Sequence, residues 1–366
     1  MKITRNTRIA GITLAAVATL ALSACGSDGG DTASADAPTG ITCADGTFNA
    51  AGSSAQQNAV TAWTNAYQAA CGGTTLNYNP TGSGAGITSF TQGQIVFAGS
   101  DSALKPEEKT AADARCKTGE AVDLPMVVGP IAVGYNLSGV DNLQLSPKTL
   151  AQIFAGKLTK WDDAAIKADN PDATLPSTAI QTYHRNDDSG TTDNFTKYLT
   201  ATAPDVWTFE GGKKWTAPGG NGVKGSDGVA TAVSQTDGAI GYMELSFAKN
   251  QNISTAKVKN AAGEYVALTP AAAGITVASA EQTGKGDDLA LKIDYKTTAT
   301  GAYPLVLVTY EITCVKGLDA SDAAFVKSFL GYTSGTQGQA LLTENGYAPL
   351  PDSVRTKTAA VVAKIS

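Results

Sequence analysis

Thr75-Leu76-Asn77-Tyr78-Asn79-Pro80-Thr81-Gly82-Ser83-Gly84-Ala85-Gly86-Ile87-Thr88-Ser89-Phe90-Thr91-Gln92-Gly93-Gln94-Ile95-Val96-Phe97-Ala98-Gly99 is the stretch that decides the fold. Thr75 to Tyr78 alternates with the two-residue period of a strand. A Gly/Ser turn follows, then a helical stretch from Ile87 to Gln92, then a strand-like run from Gln94 to Gly99 that stops at Ser100-Asp101-Ser102. Strand, small-residue turn and helix in that order predict an α/β fold. The glycines are not a dinucleotide fingerprint. In Gly82-x-Gly84-x-Gly86 the third falls one residue too early for GxGxxG, and no Lys-Ser/Thr follows as a P-loop requires.

The same grammar extends both ways. Upstream, Thr42 to Phe48 reads as a short strand, and Ala51-Gly52-Ser53-Ser54 leads into a helix from Ala55 to Ala70. Val60, Trp63, Tyr67 and Ala70 stand at helical spacing there, and Cys71-Gly72-Gly73 ends the helix. Downstream, Asp123 to Tyr135 is an apolar run that predicts a buried strand passing between two domains, with Gly129 and Pro130 at the crossing. Ser146 and Pro147 start a helix that runs to Phe154 and stops at Gly156. Ile180 to Tyr183 and Ala239 to Tyr242 read as strands, and Ser226-Asp227-Gly228 as the cap of a helix through Val233. Residues 250–300 are polar and weakly patterned. Pro304 to Cys314 is a strong strand, followed by helices near Ala323–Leu330 and Gly335–Glu344 and a loop, Asn345 to Pro351, that packs back on the body.

The strand from Ile180 delivers His184-Arg185-Asn186-Asp187-Asp188-Ser189-Gly190-Thr191-Thr192-Asp193-Asn194-Phe195, with Phe195, Tyr198 and Leu199 at helical spacing. A glycine turn into a helix leaves free N–H groups at the positive end of the helix dipole, which suits an anion. Arg185 adds a planar fork that matches a tetrahedral oxyanion. The same stretch alone also reads as an ordinary capped surface helix. The Ser53-Ser54 and Ser83-Gly84 turns each precede a helix in the same way. Three such turns, with Arg185 and Asp101, suggest one convergent oxyanion pocket.

Bulk properties narrow the class. The 366 residues are enough for two domains, and the formal net charge of −6 argues against a nucleic-acid partner. Lys2, Arg5 and Arg8 precede an apolar run from Ile9 to Leu22, too short to span a bilayer comfortably, and Leu22-Ser23-Ala24-Cys25 looks like a bacterial lipobox. Residues 1–24 are therefore expected to be a lipoprotein signal peptide and Cys25 the acylated first mature residue. Processing leaves 24 basic against 33 acidic residues, a net −9. Residues 25–40 read as a flexible tether of Gly, Ser, Ala and Asp. Cys43, Cys71, Cys116 and Cys314 read as two disulfides in an exported chain. Three pairings exist; Cys43–Cys71 with Cys116–Cys314 is favoured because the first closes a local strand–helix unit. His184 is the only histidine and no CxxC is present, so no metal and no cofactor are expected.

With these segments in place, the chain resembles the substrate-binding lipoprotein of the bacterial high-affinity phosphate ABC transporter. The resemblance lies in Ala50-Ala51-Gly52-Ser53-Ser54, Gly82-Ser83-Gly84-Ala85-Gly86, Gly99-Ser100-Asp101-Ser102-Ala103-Leu104 and Arg185-Asn186-Asp187-Asp188-Ser189-Gly190-Thr191. Ile153 to Asp163 and Gly238 to Tyr242 add to it, and it covers most of Cys43 to Pro351. It implies a two-lobed periplasmic-binding-protein (type II) fold that closes over one dehydrated phosphate. Lobe I is expected from 41–127 and 301–366, lobe II from 128–300. It implies phosphate contacts from Ser54, Ala55, Ser83, Asp101, Arg185, Ser189, Gly190 and Thr191, with Asp187 pairing the arginine. Ser54-Ala55 stands where the family pattern has Thr-Phe; a backbone N–H serves equally, but apolar cover is lost. It further implies a lipid-anchored monomer on the extracytoplasmic face that delivers phosphate to permease subunits. The pocket chemistry supports this choice independently: phosphate near neutral pH keeps a proton that Asp101 can accept in a hydrogen bond, whereas sulfate carries none. The competing readings are a carrier for sulfate or molybdate, a surface lipoprotein using the fold without transport, and an enzyme. The last is disfavoured because no Gly-x-Ser-x-Gly elbow surrounds Ser189.

Overall fold

The computed structural model describes residues 38–366, so the expected signal peptide, Cys25 and nearly all of the tether lie outside the described residues. The fold is α/β, built on a nine-stranded mixed sheet. Along the sheet the strands run Thr74–Asn79, Gly46–Gly52, Ala98–Ser100, Val306–Cys314, Ala121–Asn136, Ala239–Glu244, Gln181–Arg185 and Asn221–Val223, with Ser254–Thr255 added beside Ala121–Asn136. Parallel pairing dominates at both ends, as βαβ crossovers require. The centre is an antiparallel pair, Val306–Cys314 against Ala121–Asn136.

Ala121–Asn136 joins the two halves. Its first part, Ala121 to Pro130, pairs with Val306–Cys314, and its second, Ile131 to Asn136, pairs with Ala239–Glu244. The partner changes between Pro130 and Ile131, at the place where the Gly-Pro break in the apolar run lies. Every residue of the strand except Asn136 is buried, which explains a continuous apolar run in place of alternation. Gly52 meets a second spatial demand. A Cβ there would lie 2.0 Å from the Gly99 carbonyl oxygen, so only glycine lets the ends of the strands Gly46–Gly52 and Ala98–Ser100 approach each other.

Helices cover both faces. Gln57–Ala70 buries Val60, Trp63 and Tyr67, three of the residues read as its apolar face, against Phe325 and Phe329 of the helix Ala320–Ser334. Pro147–Phe154 starts at the expected Ser146 cap, whose hydroxyl accepts from Thr149 N. The disulfides are Cys43–Cys71 and Cys116–Cys314, the favoured pairing. Ala348 pairs with Val128, so the loop after Asn345 does pack back on the body.

Several boundaries differ from the sequence reading. The first strand begins at Gly46, not Thr42, and the first helix at Gln57, not Ala55. Within residues 250–300 a helix, Pro270–Ala278, starts at a Thr269 cap, and a terminal helix, Asp352–Val362, follows Pro351. The helix after Asn221–Val223 starts at Gly225 with Lys224 as its cap residue, which places Ser226 inside the first turn and frees its hydroxyl for other partners.

Candidate functional site

The three Gly/Ser turns converge, and each does so by a different local device. Ser189 is a true cap: its hydroxyl accepts from Thr192 N and starts Gly190–Thr202. Ser83 is the first helical residue of Ser83–Thr91, preceded by Gly82 at φ 99°. Ser53 and Ser54 lie before Gln57–Ala70 and do not cap it. Ser53 Oγ instead accepts from Ala55 N at 3.0 Å and donates to Asp101 Oδ1 at 2.5 Å.

Asp101 is the centre. It is 3% exposed, and hydroxyls from both halves of the molecule fix its carboxylate. Ser53 and Thr309 Oγ1 (2.9 Å) donate to Oδ1, and Thr191 Oγ1 (3.1 Å) donates to Oδ2. Burial pushes its pKa up, against the opposing pull of the Ser53 and Thr309 hydroxyls, the Arg185 charge and Thr191. Its backbone N–H donates to Ser83 Oγ at 3.2 Å, and Gly190 N donates to the same oxygen at 3.1 Å. Ser83 thus touches the Asp101 loop and the start of the Gly190 helix at once. Gly190 is required by this closeness, since a Cβ there would stand 2.7 Å from both Asp101 Cβ and Ser83 Oγ.

Arg185 enters from the other side. It ends the strand Gln181–Arg185 and is 1% exposed. Its Nε donates to Asp187 Oδ1 at 2.6 Å and its Nη2 to Asp187 Oδ2, a bidentate fork. Burial raises the Asp187 pKa, but the Arg185 fork and the Gly225 N–H outweigh it, and Asp187 ends below the usual carboxylate range. The guanidinium keeps Nη1 for Ser226 Oγ at 3.4 Å. Ser226 N in turn donates to Ser54 Oγ at 3.1 Å, which links Arg185 to the first turn.

All eight residues expected to contact the anion, Ser54, Ala55, Ser83, Asp101, Arg185, Ser189, Gly190 and Thr191, belong to this buried cluster, and Asp187 is where the pairing with Arg185 places it. Sequence reading placed the Ser53-Ser54 turn at the pocket without giving Ser53 a role, read Ser226 only as part of a helix cap, and did not find Thr309. Thr309 sits inside a strand read only as core, and Ser226 carries the outward signature of a helix cap. His184 stacks its ring on Trp215, with centroids 4.7 Å apart, and has a packing role. Cross-cleft contacts close the site further: Gly84 N to Asp188 O at 3.0 Å, Ser102 Oγ to Asp193 Oδ2 at 2.6 Å and Lys213 Nζ to Glu108 Oε1 at 2.6 Å.

Two α/β halves, a shared crossing strand and a buried polar pocket between them define a two-lobed solute-binding protein. A PBP superfamily domain matches residues 37–335. The chain belongs to the PstS family of phosphate-binding proteins. It is 43% identical to phosphate-binding protein PstS 3 of Mycobacterium tuberculosis (strain ATCC 25618 / H37Rv), over 98% of each chain. It is 33% identical to phosphate-binding protein PstS of Xylella fastidiosa (strain Temecula1 / ATCC 700964), over 84% of this chain and 82% of that one. Among solved structures, a high-affinity periplasmic phosphate-binding protein (PfluDING) bound with phosphate shares the fold with a TM-score of 0.70. The match is 23% identical and covers 86% of this chain and 93% of that one.

Proposed function

We propose that this chain binds inorganic phosphate outside the membrane and delivers it to the permease of an ABC importer. The observation that carries this reading is the pairing of charges in one buried pocket. The Asp101 carboxylate lies within electrostatic reach of Arg185, whose own charge Asp187 already balances and whose Nη1 donates only to the Ser226 hydroxyl. A fully ionised oxyanion would meet Asp101 as an unpaired repulsive charge, at a cost of several kcal/mol. Hydrogen phosphate brings its own proton and turns that repulsion into a hydrogen bond.

The roles follow from placement. Arg185 Nη1 and the N–H groups of Ala55, Gly190 and Thr191 supply positive potential, with the hydroxyls of Ser54, Ser83, Ser189 and Thr191 as further donors. Asp101 accepts the ligand's proton, and Asp187 holds Arg185 in register. The Ser83–Gly190 and Ser54–Ser226 contacts are the ones an anion would join from both sides, so binding favours closure. Residues 41–127 with 301–366 form one lobe and 128–300 the other. The chain is a monomeric carrier without turnover, and no residue here is assigned a catalytic task. Among the described residues no helix is long and apolar enough to cross a membrane. Membrane attachment is assigned to an acylated Cys25 on the strength of the Leu22-Ser23-Ala24-Cys25 motif, with residues 25–40 as the tether.

Isothermal titration of the folded chain with phosphate and with sulfate tests the reading. Phosphate is expected to bind at least about a hundredfold more tightly than sulfate, some 2.7 kcal/mol. Equal binding of the two, or no binding of phosphate, overturns it.

A further inference from the structure

Beyond the pocket a buried lysine bridges the cleft, and the phosphate reading gives it no task. Lys213 is 6% exposed and is the only lysine buried among the described residues. Its Nζ donates to both carboxylate oxygens of Glu108, to Oε1 at 2.6 Å and to Oε2 at 2.9 Å. The two residues come from opposite halves of the molecule. Glu108 lies in the first turn of the helix Pro106–Arg115, and Lys213 in the loop between Gly190–Thr202 and Asn221–Val223. A lysine is seldom buried unpaired, because its ammonium gives up hydration that a partner must replace.

Each end of the pair is fixed from its own side. Glu108 Oε2 also accepts from Lys105 N at 2.9 Å, so the carboxylate caps the helix that carries it. The Lys213 loop is pinned three times. Gly212 N donates to Thr196 Oγ1 at 3.3 Å, Trp215 packs on His184, Phe154 and Tyr242, and the Lys213 carbonyl accepts from Ser189 N at 2.9 Å. The last bond reaches the pocket, since Ser189 caps Gly190–Thr202 and stands among the expected anion contacts. One residue thus grips Glu108 with its side chain and the Ser189 cap with its backbone. Beside it, Gly84 N donates to Asp188 O at 3.0 Å, so the halves also touch one residue away from Ser83 and from Ser189. The ion pair and this bond line one groove of about 470 Å³ at the edge of the cleft.

We propose that Lys213 is a positioning residue for phosphate: gripped by Glu108 across the cleft and bonded through its carbonyl to Ser189, it ties the closing of the two halves to the seating of the Ser189 cap and so slows release of the bound anion. The proposal rests on the phosphate reading for its ligand. In an open cleft both charges face water. Closing strips the ammonium of water, and the Glu108 carboxylate stands in place to receive it. Neither partner has to be ordered at that moment, so little conformational entropy opposes the contact. The pair lies outside the set of expected anion contacts. It governs how long the closed form lasts, not which anion is chosen.

The test is rapid mixing of inorganic phosphate with the folded chain, with Glu108→Gln, with Lys213→Met and with the two combined, reading uptake and release rates separately. Glu108→Gln keeps an acceptor for Lys105 N, and Lys213→Met keeps the stem and the backbone bond to Ser189. Each single variant is expected to release phosphate about ten- to a hundredfold faster, with association not slowed, because the remaining charge is stranded only in the closed form. The double variant strands no charge and is expected to release no faster than the quicker single one. The preference for phosphate over sulfate is expected to hold in all four. Wild-type release from both single variants, or losses that multiply in the double, overturn the proposal. Slowed association with unchanged release also overturns it, since that marks damage to the pocket alone. If Lys213→Met does not fold, the release rate of Glu108→Gln decides. Urea unfolding of the same chains without phosphate reads the contact directly: coupled losses at the two positions are expected, and additive ones overturn the proposal even if phosphate were not the ligand. Absence of phosphate binding by the wild type would instead strike the phosphate reading, and the urea cycle would still decide whether the pair ties the halves together.

Discussion

Asp101 and Asp187 are both buried aspartates of one pocket, and their surroundings drive them apart. Asp187 meets a cation in two-pronged contact and falls below its ordinary pKa, whereas Asp101 meets mainly neutral hydroxyls and rises above it. The first is suited to hold Arg185, the second to receive a proton-bearing ligand. Asp101→Asn keeps the size and replaces one acceptor by a donor. It is expected to weaken phosphate binding by about ten- to a hundredfold while sulfate binding holds or improves, because a lost charge-assisted hydrogen bond is worth about 1.5–3 kcal/mol. Calorimetry with both anions checks it; unchanged affinity and selectivity would remove Asp101 from the pocket chemistry. Arg185 and Asp187 were legible as a pair because a single residue, Asn186, separates them at a strand end. The partners of Ser53, Thr309 and Ser226 were not, since Asp101 and Ser54 lie 48, 208 and 172 residues away. Nothing local marks a hydroxyl whose acceptor is brought to it only by the folded sheet.

At the level of elements, three turns that look alike in sequence use three different constructions. Ser189 caps its helix, Ser83 lies inside its first turn, and Ser53 folds back on Ala55 N before the helix begins. Hydroxyls and glycines mark a helix entry dependably, but which atom caps and which faces the cleft depends on the φ of Gly82 and on how close the two halves come. Gly190 is where that closeness is tightest. Gly190→Ala retains helix propensity, and it drives a methyl against Asp101 and Ser83. Overpacking of this kind costs about 1–3 kcal/mol, so phosphate affinity is expected to fall by about ten- to a hundredfold with far-ultraviolet circular dichroism unchanged. Wild-type affinity in that variant would mean the closed contact is not the binding state. A second prediction concerns the cross-links. Cys116–Cys314 spans 198 residues and Cys43–Cys71 spans 28, so loop entropy favours the longer bridge by about 1.7 kcal/mol. Paired alanine replacements compared by thermal melting are expected to lose more at Cys116 and Cys314. The terminal helix Asp352–Val362 escaped the sequence reading because its buried residues, Thr358, Val361 and Val362, crowd into its last two turns and leave the first half polar.

Across the whole molecule, the α/β class, the order of elements and the crossing of Ala121–Asn136 were readable, because period and burial speak through many residues at once. The distribution of buried acids was not, although it governs how the protein responds to pH. Glu244 and Glu311 each lie within electrostatic reach of Asp101. Glu244 accepts from Ser246 N at 2.8 Å while its Oε1 stays unpartnered, and burial holds it well above the carboxylate range. The signs differ between acids. Asp187, with its pKa lowered on folding, stabilises the fold above the ordinary carboxylate pKa, and that contribution is lost as pH falls through the lowered value. Glu244 and Glu311, with raised values, cost nothing while folded and unfolded chains both hold the proton. Their penalty grows as pH rises past the ordinary carboxylate range, and for Glu311 it is complete above about 8. On the alkaline side the Asp187 contribution is already complete and no longer changes with pH, so the raised acids set the slope there. Thermal stability without phosphate is therefore expected to peak in mildly acidic solution and to decline as pH rises towards about 8. Glu311→Gln should flatten much of that decline and leave the acid limb, which belongs to Asp187, in place. Melting curves collected from pH 4 to 9.5 on both proteins decide it: a wild-type midpoint that stays level to pH 9, or a variant that declines in step with wild type, would mean that Glu311 is not held protonated by the fold.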